Sequence, residues 1–275
     1  MSPNPSHLPS SLILVGAGKM GGSMLEGWLK VGMKPDGVSV LDPRPSDEMT
    51  RFCQANGIAL NPASPAPADV LVLAIKPQML DAAAPSLNGY LGPQTLIVSI
   101  LAGKTIGDLR SRLPAAGAIV RAMPNLPASI GRGATGAAAN DAVSEAQRLM
   151  ADALLSSNGI VEWLPSEDLI DAVTAVSGSG PAYVFHLVEC LAEAGTAAGL
   201  PPDLAQRLAR ATVTGAGELL FQSESSPATL RQNVTSPGGT TAAALEVLMR
   251  DPDGLKALMR EAVAAAKRRA EELAG

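Results

Sequence analysis

The sequence predicts an α/β chain in which a largely parallel sheet is followed by an all-helical region. Three observations carry this. Short apolar runs alternate with helical stretches up to about residue 165, turn residues punctuate nearly every junction, and β signals nearly vanish beyond Leu164-Pro165. Buried parallel strands read as short continuous apolar runs because helices cover both of their faces.

The strands follow in order. "SLILVG" (11–16) ends at glycine, "VSVLD" (38–42) at an acid, and "ADVLVLAI" (68–75) at Lys76-Pro77. "QTLIVSI" (94–100) runs into "LAGK", and "AIVRAMPN" (118–125) ends in a Pro-Asn turn. "ATGAAAN" (134–140) and "GIVEWL" (159–164) are weaker strands. "NPASPAPAD" (61–69) is a Pro-rich connection within the sheet region. At 166–169, "SEDL" is a helix start, with Ser166 as cap and acids in the first turn. A helix is predicted from about Glu167 to Ala198, bent or interrupted at "SGSGP" (177–181) and stopped by Gly199. The next helix starts at its prolines and lines up Leu204, Leu208, Ala211, Gly215 and Leu219. The last, from about Pro252, lines up Leu255, Met259, Ala262, Ala266, Ala270 and Leu273. The domains are therefore 1–165 and 166–275.

Composition narrows the function. The 275 residues are 47% hydrophobic but only 3% aromatic, so the core is aliphatic. The net charge is −5, and no basic run exceeds Lys267-Arg268-Arg269, which argues against nucleic-acid binding. Cys53, Cys190, His7 and His186 show no metal-ligand spacing, so no metal is expected. Both thiols read as buried and inert in a reducing cytoplasm, and His186 as a structural histidine on an apolar helix. The opening "MSPNPSHLPSS" lacks the charge and apolar run of a signal peptide, and no apolar stretch reaches membrane-spanning length.

The first chemical motif is "LILVGAGKMGG". Gly16, Gly18 and Gly21 have G-x-G-x-x-G spacing between an apolar strand and an amphipathic helix. Gly16 permits the tight turn, Gly18 lets a pyrophosphate approach, and Gly21 lets helix and strand pack closely. With Ala17, Lys19 and Met20 they form a Rossmann-like dinucleotide loop whose helix amides face phosphates. A second strand ends at Asp42, which favours NAD by binding ribose hydroxyls; Arg44 favours NADP by gripping a 2′-phosphate. The two cues conflict. The strand ends at Ala74, Lys76 and Pro77, and at "SILAG" (99–103) with Ala102, line the same crevice, and "MPN" (123–125) lies toward the nicotinamide.

The second motif is "TSPGGTT" (235–241), before the helical run "AAALEVLM". Proline and two glycines expose successive amides at a helix start, a cradle for a small anion. Arg231 is the nearest cation, so a carboxylate fits better than a phosphate. Ser236, Thr240 and Thr241 add neutral donors suited to an amine or imine nitrogen. In "VSGSGPAYVF" (176–185), glycines and proline weaken an otherwise good helix, while Tyr183 reads as core packing.

Together "VGAGKMGGSMLEG", "LAIKPQ", "SILAGKTI", "RAMPNLPASIGRG", "VTAVSGSGPAYVF" and "LRQNVTSPGGTTAAALEVL" resemble pyrroline-5-carboxylate reductase over nearly the whole chain. The resemblance implies reduction of a cyclic imine to L-proline by NADPH or NADH, the last step of proline synthesis. It implies a dinucleotide domain plus an all-α dimerisation domain, with dimers often built into decamers. It implies that Ser236 and the amides around Gly239 and Thr240 meet the substrate carboxylate, that Thr241 meets the ring nitrogen, and that Glu224 lies near the substrate. The cofactor would touch the Gly16–Met20 loop, Lys76 and Ala102. A β-hydroxyacid dehydrogenase is disfavoured because Val184 occupies the position of that family's lysine. A cofactor-binding protein without turnover would bind NADPH yet leave it unoxidised.

Overall fold

The computed structural model describes residues 4–64 and 66–274; Met1–Pro3 of the opening segment and Pro65 of the Pro-rich connection lie outside the described residues. The chain divides into two compact units, 1–178 with 267–275, and 179–266.

The first unit is built on an eight-stranded sheet. In chain order it contains β1 (Leu12–Val15), α1 (Lys19–Lys30), β2 (Val38–Leu41), α2 (Asp47–Asn56), β3 (Ala59–Leu60), β4 (Val70–Leu73), α3 (Leu80–Leu87), β5 (Leu96–Ser99), α4 (Ile106–Arg112), β6 (Ala118–Met123), β7 (Gly133–Ala139), α5 (Glu145–Ser156), β8 (Gly159–Trp163) and α6 (Ile170–Val173). The strand order is β3-β2-β1-β4-β5-β6-β7-β8. Every pairing is parallel except β6 with β7. That exception follows from chain length, because the 124–132 connection is shorter than the dozen or so residues a parallel crossover needs. All seven predicted strands form. The two-residue β3 was not foreseen.

Period-two alternation divides the core into two layers. Leu12, Leu14, Val38, Val40, Val70 and Val72 face Met24, Leu25 and Trp28 of α1 and Leu154 of α5. Ile13, Val15, Leu71, Leu73 and Ile97 face Leu80 and Leu87 of α3 and Leu109 of α4. Trp28 is fully buried and donates its indole N–H to the Leu154 carbonyl at 2.9 Å. Burying a side chain of this kind contributes about 1.5–3 kcal/mol. Cys53 is buried as expected, and burial pushes its thiol pKa up.

Composition changes at residue 165, but sheet contacts hold the chain until 178. Arg121 of β6 is buried, with Nη2 3.5 Å from Asp171 Oδ1 and Nη1 4.0 Å from Glu167 Oε2. Glu167 Oε2 also accepts the Ile106 N–H at 2.9 Å. Gly136 of β7 lets α6 approach: a Cβ there would lie 2.8 Å from Val173 Cγ1. The helix predicted over 167–198 is divided into a 3-10 turn (Glu167–Leu169), α6, a π-turn (Thr174–Gly178) and α7 (Gly180–Ala197).

The second unit contains α7, α8 (Pro202–Gln222), α9 (Pro227–Asn233) and α10 (Thr240–Leu248); α11 (Leu255–Ala274) begins in it. Helices α7 and α8 pack together, with Gly195 against Ala205, and Gly199 turns the chain between them at φ +101°. The α8 stripe lies largely exposed, with Leu208 48% and Leu219 54% accessible, while Ala205 and Ala209 are buried. The reading of Cys190 as buried and of His186 as structural is corrected here. Cys190 and His186 are exposed as well. His186 Nδ1 lies 2.9 Å from Glu189 Oε2, and its Nε2 lies 3.5 Å from Cys190 Sγ. Both corrections have one cause: a helical period shows which residues share a face but not what covers that face.

Candidate active site: a dinucleotide cleft and a glycine-capped helix

The loop between β1 and α1 is shaped by its glycines. Gly16 has φ +90°, and a Cβ on it would lie 2.8 Å from Ile75 Cγ2 and 2.9 Å from the Ala74 carbonyl carbon. A Cβ on Gly21 would collide with the Gly16 carbonyl oxygen. Gly18 differs, because its missing Cβ would meet nothing within 4 Å. It is also the N-cap of α1 and offers no side chain to the first-turn amides, which an α-helix leaves without carbonyl partners.

Beside Gly18 opens a cleft of about 720 Å³. Ala17, Gly18, Lys19, Met20, Asp42 and Arg44 of the predicted residues line it. Sequence reasoning missed Ser23 and Glu26 on the next turn of α1, Ser46, Glu48, Met49 and Phe52 around α2, and Leu126 and Ser129 after β6. Helical spacing from Lys19 would have found Ser23 and Glu26; for the others only the fold brings distant segments together.

Asp42 is committed to the backbone. Its Oδ2 accepts the Ala17 N–H at 3.0 Å and its Oδ1 the Arg44 N–H at 2.9 Å. Asn61, which sequence reasoning passed over, accepts the Asp42 N–H at 2.9 Å and donates to the Asp42 carbonyl at 2.7 Å. This clasp pins the glycine loop to the end of β2.

Ala74, Lys76 and Pro77 follow β4, the neighbour of β1, and Ala102 follows β5, the next strand along, so all four lie beyond carboxyl ends of strands on this side of β1. They do not line the cleft itself. The order reverses between β1 and β4, where open α/β sheets place their ligand crevice.

In the helical unit the second motif is a turn from α9 into α10. Gly238 takes φ +67°, Gly239 is the N-cap, and Thr240 and Thr241 open the helix. Gly239 provides no side-chain cap, and its own amide donates to the Ser236 carbonyl at 3.0 Å. A Cβ on Gly239 would strike Ser236 Oγ, so glycine alone allows that hydroxyl to fold over the helix end. The helix starts two residues earlier than the predicted run, which puts both threonines in its first turn. Glu224 is exposed in the link between α8 and α9. Among the described residues no group of His, Cys, Asp and Glu is arranged to hold a metal, and no helix is long and apolar enough to cross a membrane.

Residues 167–273 match the family model described as pyrroline-5-carboxylate reductase dimerisation, and 11–103 match NADP oxidoreductase, coenzyme F420-dependent. The pyrroline-5-carboxylate reductase of Pseudomonas aeruginosa is 41% identical over 266 residues, covering 96% of each chain. A solved pyrroline-5-carboxylate reductase from Coxiella burnetii is 37% identical, with a TM-score of 0.89 over 97% of this chain and 99% of that one. The Plasmodium falciparum pyrroline carboxylate reductase, solved with NADP bound, is 27% identical, with a TM-score of 0.77 over 96% of this chain and 98% of that one. With such identity sustained along nearly its whole length, the chain belongs to the pyrroline-5-carboxylate reductase family.

Proposed function

We infer that this chain reduces the C=N bond of 1-pyrroline-5-carboxylate to L-proline with NADPH, the last step of proline biosynthesis. The observation that carries the reading is the pairing, in one chain of this family, of an open dinucleotide cleft at Gly18 with an uncapped, hydroxyl-rimmed helix start at Thr240. The residues fit a dinucleotide: first-turn amides of α1 and Lys19 for phosphates, and Gly18 for close approach. Gly16 and Gly21 shape that loop, Met20 borders it, and Ala74, Lys76, Pro77 and Ala102 flank the crevice at the strand ends. Both Asp42 oxygens hold backbone amides, whereas the Arg44 side chain lines the cleft. That division favours a 2′-phosphate, hence NADPH over NADH.

When bound, the reduced nicotinamide supplies the hydride. The protein binds and orients. Ser236 and the amides of Gly239 and Thr240 hold the substrate carboxylate, favoured by the positive end of α10. The Thr241 hydroxyl hydrogen-bonds the ring nitrogen, donating to the neutral imine or accepting from the protonated one, and so holds in place the carbon that accepts hydride. A threonine hydroxyl is too weak an acid to protonate the nitrogen outright, so the proton arrives on the substrate or through water. Glu224 borders the bound imine.

The functional division falls near residue 165, where the dimerisation match also begins. Two copies pair through the apolar faces of the helical unit, and such dimers build the decamer that the resemblance implies. The cytoplasm is the site of action, since it keeps Cys53 and Cys190 reduced. The test is imine-dependent oxidation of NADPH, then of NADH, with proline measured as product. A folded protein that binds NADPH without turning it over would sink the assignment.

A further inference from the structure

Asn125 is nearly buried, and both ends of its side-chain amide are engaged. Oδ1 accepts the Ala134 N–H at 2.9 Å, and Nδ2 donates to the Ser177 carbonyl at 3.1 Å. A backbone N–H faces one end and a C=O the other, so the amide has one allowed orientation. The Ser177 carbonyl needs this donor for a local reason. In an α-helix it would accept from residue 181, but Pro181 has no N–H. Ala182, one residue further, gives its N–H to Ser179 instead.

The turn so held is the π-turn Thr174–Gly178, a form found frequently at functional sites. It lies close to the sheet, since a Cβ on Gly178 would lie 3.0 Å from Met123 Cε. On its other side Asn125 leads directly into Leu126 and Ser129, which line the cofactor cleft. One side chain therefore ties the cleft wall to the turn at which the first compact unit ends, Gly178.

We propose that Asn125 is a positioning residue for the reduction: by holding the Ser177 carbonyl it fixes the π-turn against the segment that carries the Leu126 and Ser129 wall of the cofactor cleft. The proposal rests on the imine-reductase reading given above. Hydride transfer needs donor and acceptor in near-attack geometry, and a misplacement of about 1 Å costs on the order of a hundredfold in rate.

Asn125→Asp is the direct test. It keeps the acceptor for Ala134 but sets an oxygen against the Ser177 carbonyl. The expected result is a kcat lower by roughly tenfold to a hundredfold, with NADPH affinity near wild type and a lowered melting temperature, because a buried carbonyl loses its donor. The deuterium isotope effect on kcat from 4-deuterated NADPH should rise as hydride transfer becomes slower. Asn125→Ala serves if the aspartate variant does not fold, and a wild-type kcat in either folded variant overturns the proposal. Adding Pro181→Ala to Asn125→Ala supplies the missing backbone N–H. Recovery of melting temperature without kcat is expected, whereas recovery of both would mean the bond only satisfies a carbonyl and would overturn the positioning role. Wild-type protein without imine-dependent NADPH oxidation would overturn the reductase reading and this proposal with it, a result that no variant is needed to see.

Discussion

The two compact units bury apolar surface in opposite ways. In the central strands β1, β4, β5 and β6 of the sheet unit nearly every residue is covered within the chain, from Leu12 and Ile13 on β1 to Ile119 and Val120 on β6. In the helical unit the buried apolar residues are Ala205 and Ala209, while Val184, Phe185, Leu208, Leu219, Leu220 and Met249 are exposed. The sheet unit closes its own core because helices cover both faces. The helical unit presents as surface what a folded protein ordinarily hides. One unit is thus complete as a single chain, and the other has the composition of an interface. The cleft, with its need for fixed geometry, belongs to the self-sufficient unit. The hydroxyl-rimmed helix start belongs to the unit whose apolar faces are exposed.

The sharpest way to break this contrast is to charge the exposed stripe. Leu208→Glu with Leu219→Glu should leave the sheet unit folded and yield monomers by sedimentation, with catalysis lost. Each leucine removed from a buried interface forfeits about 1.5–3 kcal/mol, before the cost of desolvating the new carboxylates. A double variant that stays oligomeric would show that the stripe covers nothing.

Thr241→Ala asks whether the helical unit carries chemistry apart from assembly. Loss of one oriented hydrogen bond should lower kcat by on the order of a hundredfold, with oligomer size and NADPH affinity unchanged. Wild-type turnover would remove Thr241 from the mechanism.

Arg44→Ala sharpens the contrast from the sheet side. Losing a charged hydrogen bond of about 1.5–3 kcal/mol should weaken NADPH binding roughly tenfold to a hundredfold. NADH binding should hardly change. An equal loss for both cofactors would mean that Arg44 does not meet a 2′-phosphate.

The smallest effect concerns the stability of the sheet unit alone. Burial pushes the Asp69 carboxyl up, but hydrogen bonds outweigh it and hold its pKa below the usual carboxylate range. Ser10 N–H and Oγ and Ser11 N–H donate to its Oδ2 at 3.0, 2.6 and 2.9 Å. A carboxylate with a lowered folded pKa stabilises fully above its unfolded value, about pH 4, and loses that contribution as pH falls through the folded value. Asp69→Asn should therefore cost about 1 kcal/mol at neutral pH and progressively less in acid, read by denaturant melts across that range. A gap between wild type and variant that stays constant into acid would contradict this assignment.

The sequence by itself determined a good deal. Apolar runs bounded by turn residues located the long strands, because a doubly covered strand must be apolar throughout. The spacing of Gly16, Gly18 and Gly21 located the cleft, because only glycine fits a positive φ at 16 and a helix against a carbonyl at 21, while position 18 leaves open space beside the cleft. The loop at 235–241 announced a helix start by its own local chemistry. Tertiary structure alone decided the rest. A two-residue β3 is too short to leave a pattern. Asp42 reads as a ribose ligand, and only the fold shows that its oxygens also accept the Ala17 and Arg44 amides. The sequence expects a break at 177–181, but that it is a π-turn beginning at 174, with its carbonyl held by Asn125 far away in sequence, is seen only in the fold. Periodicity placed Leu208 and Leu219 on one face, but whether a face is core or interface depends on what packs against it. Local order follows from short-range sterics and hydrogen bonding, which the sequence carries directly; partners across the fold are set only when distant segments meet.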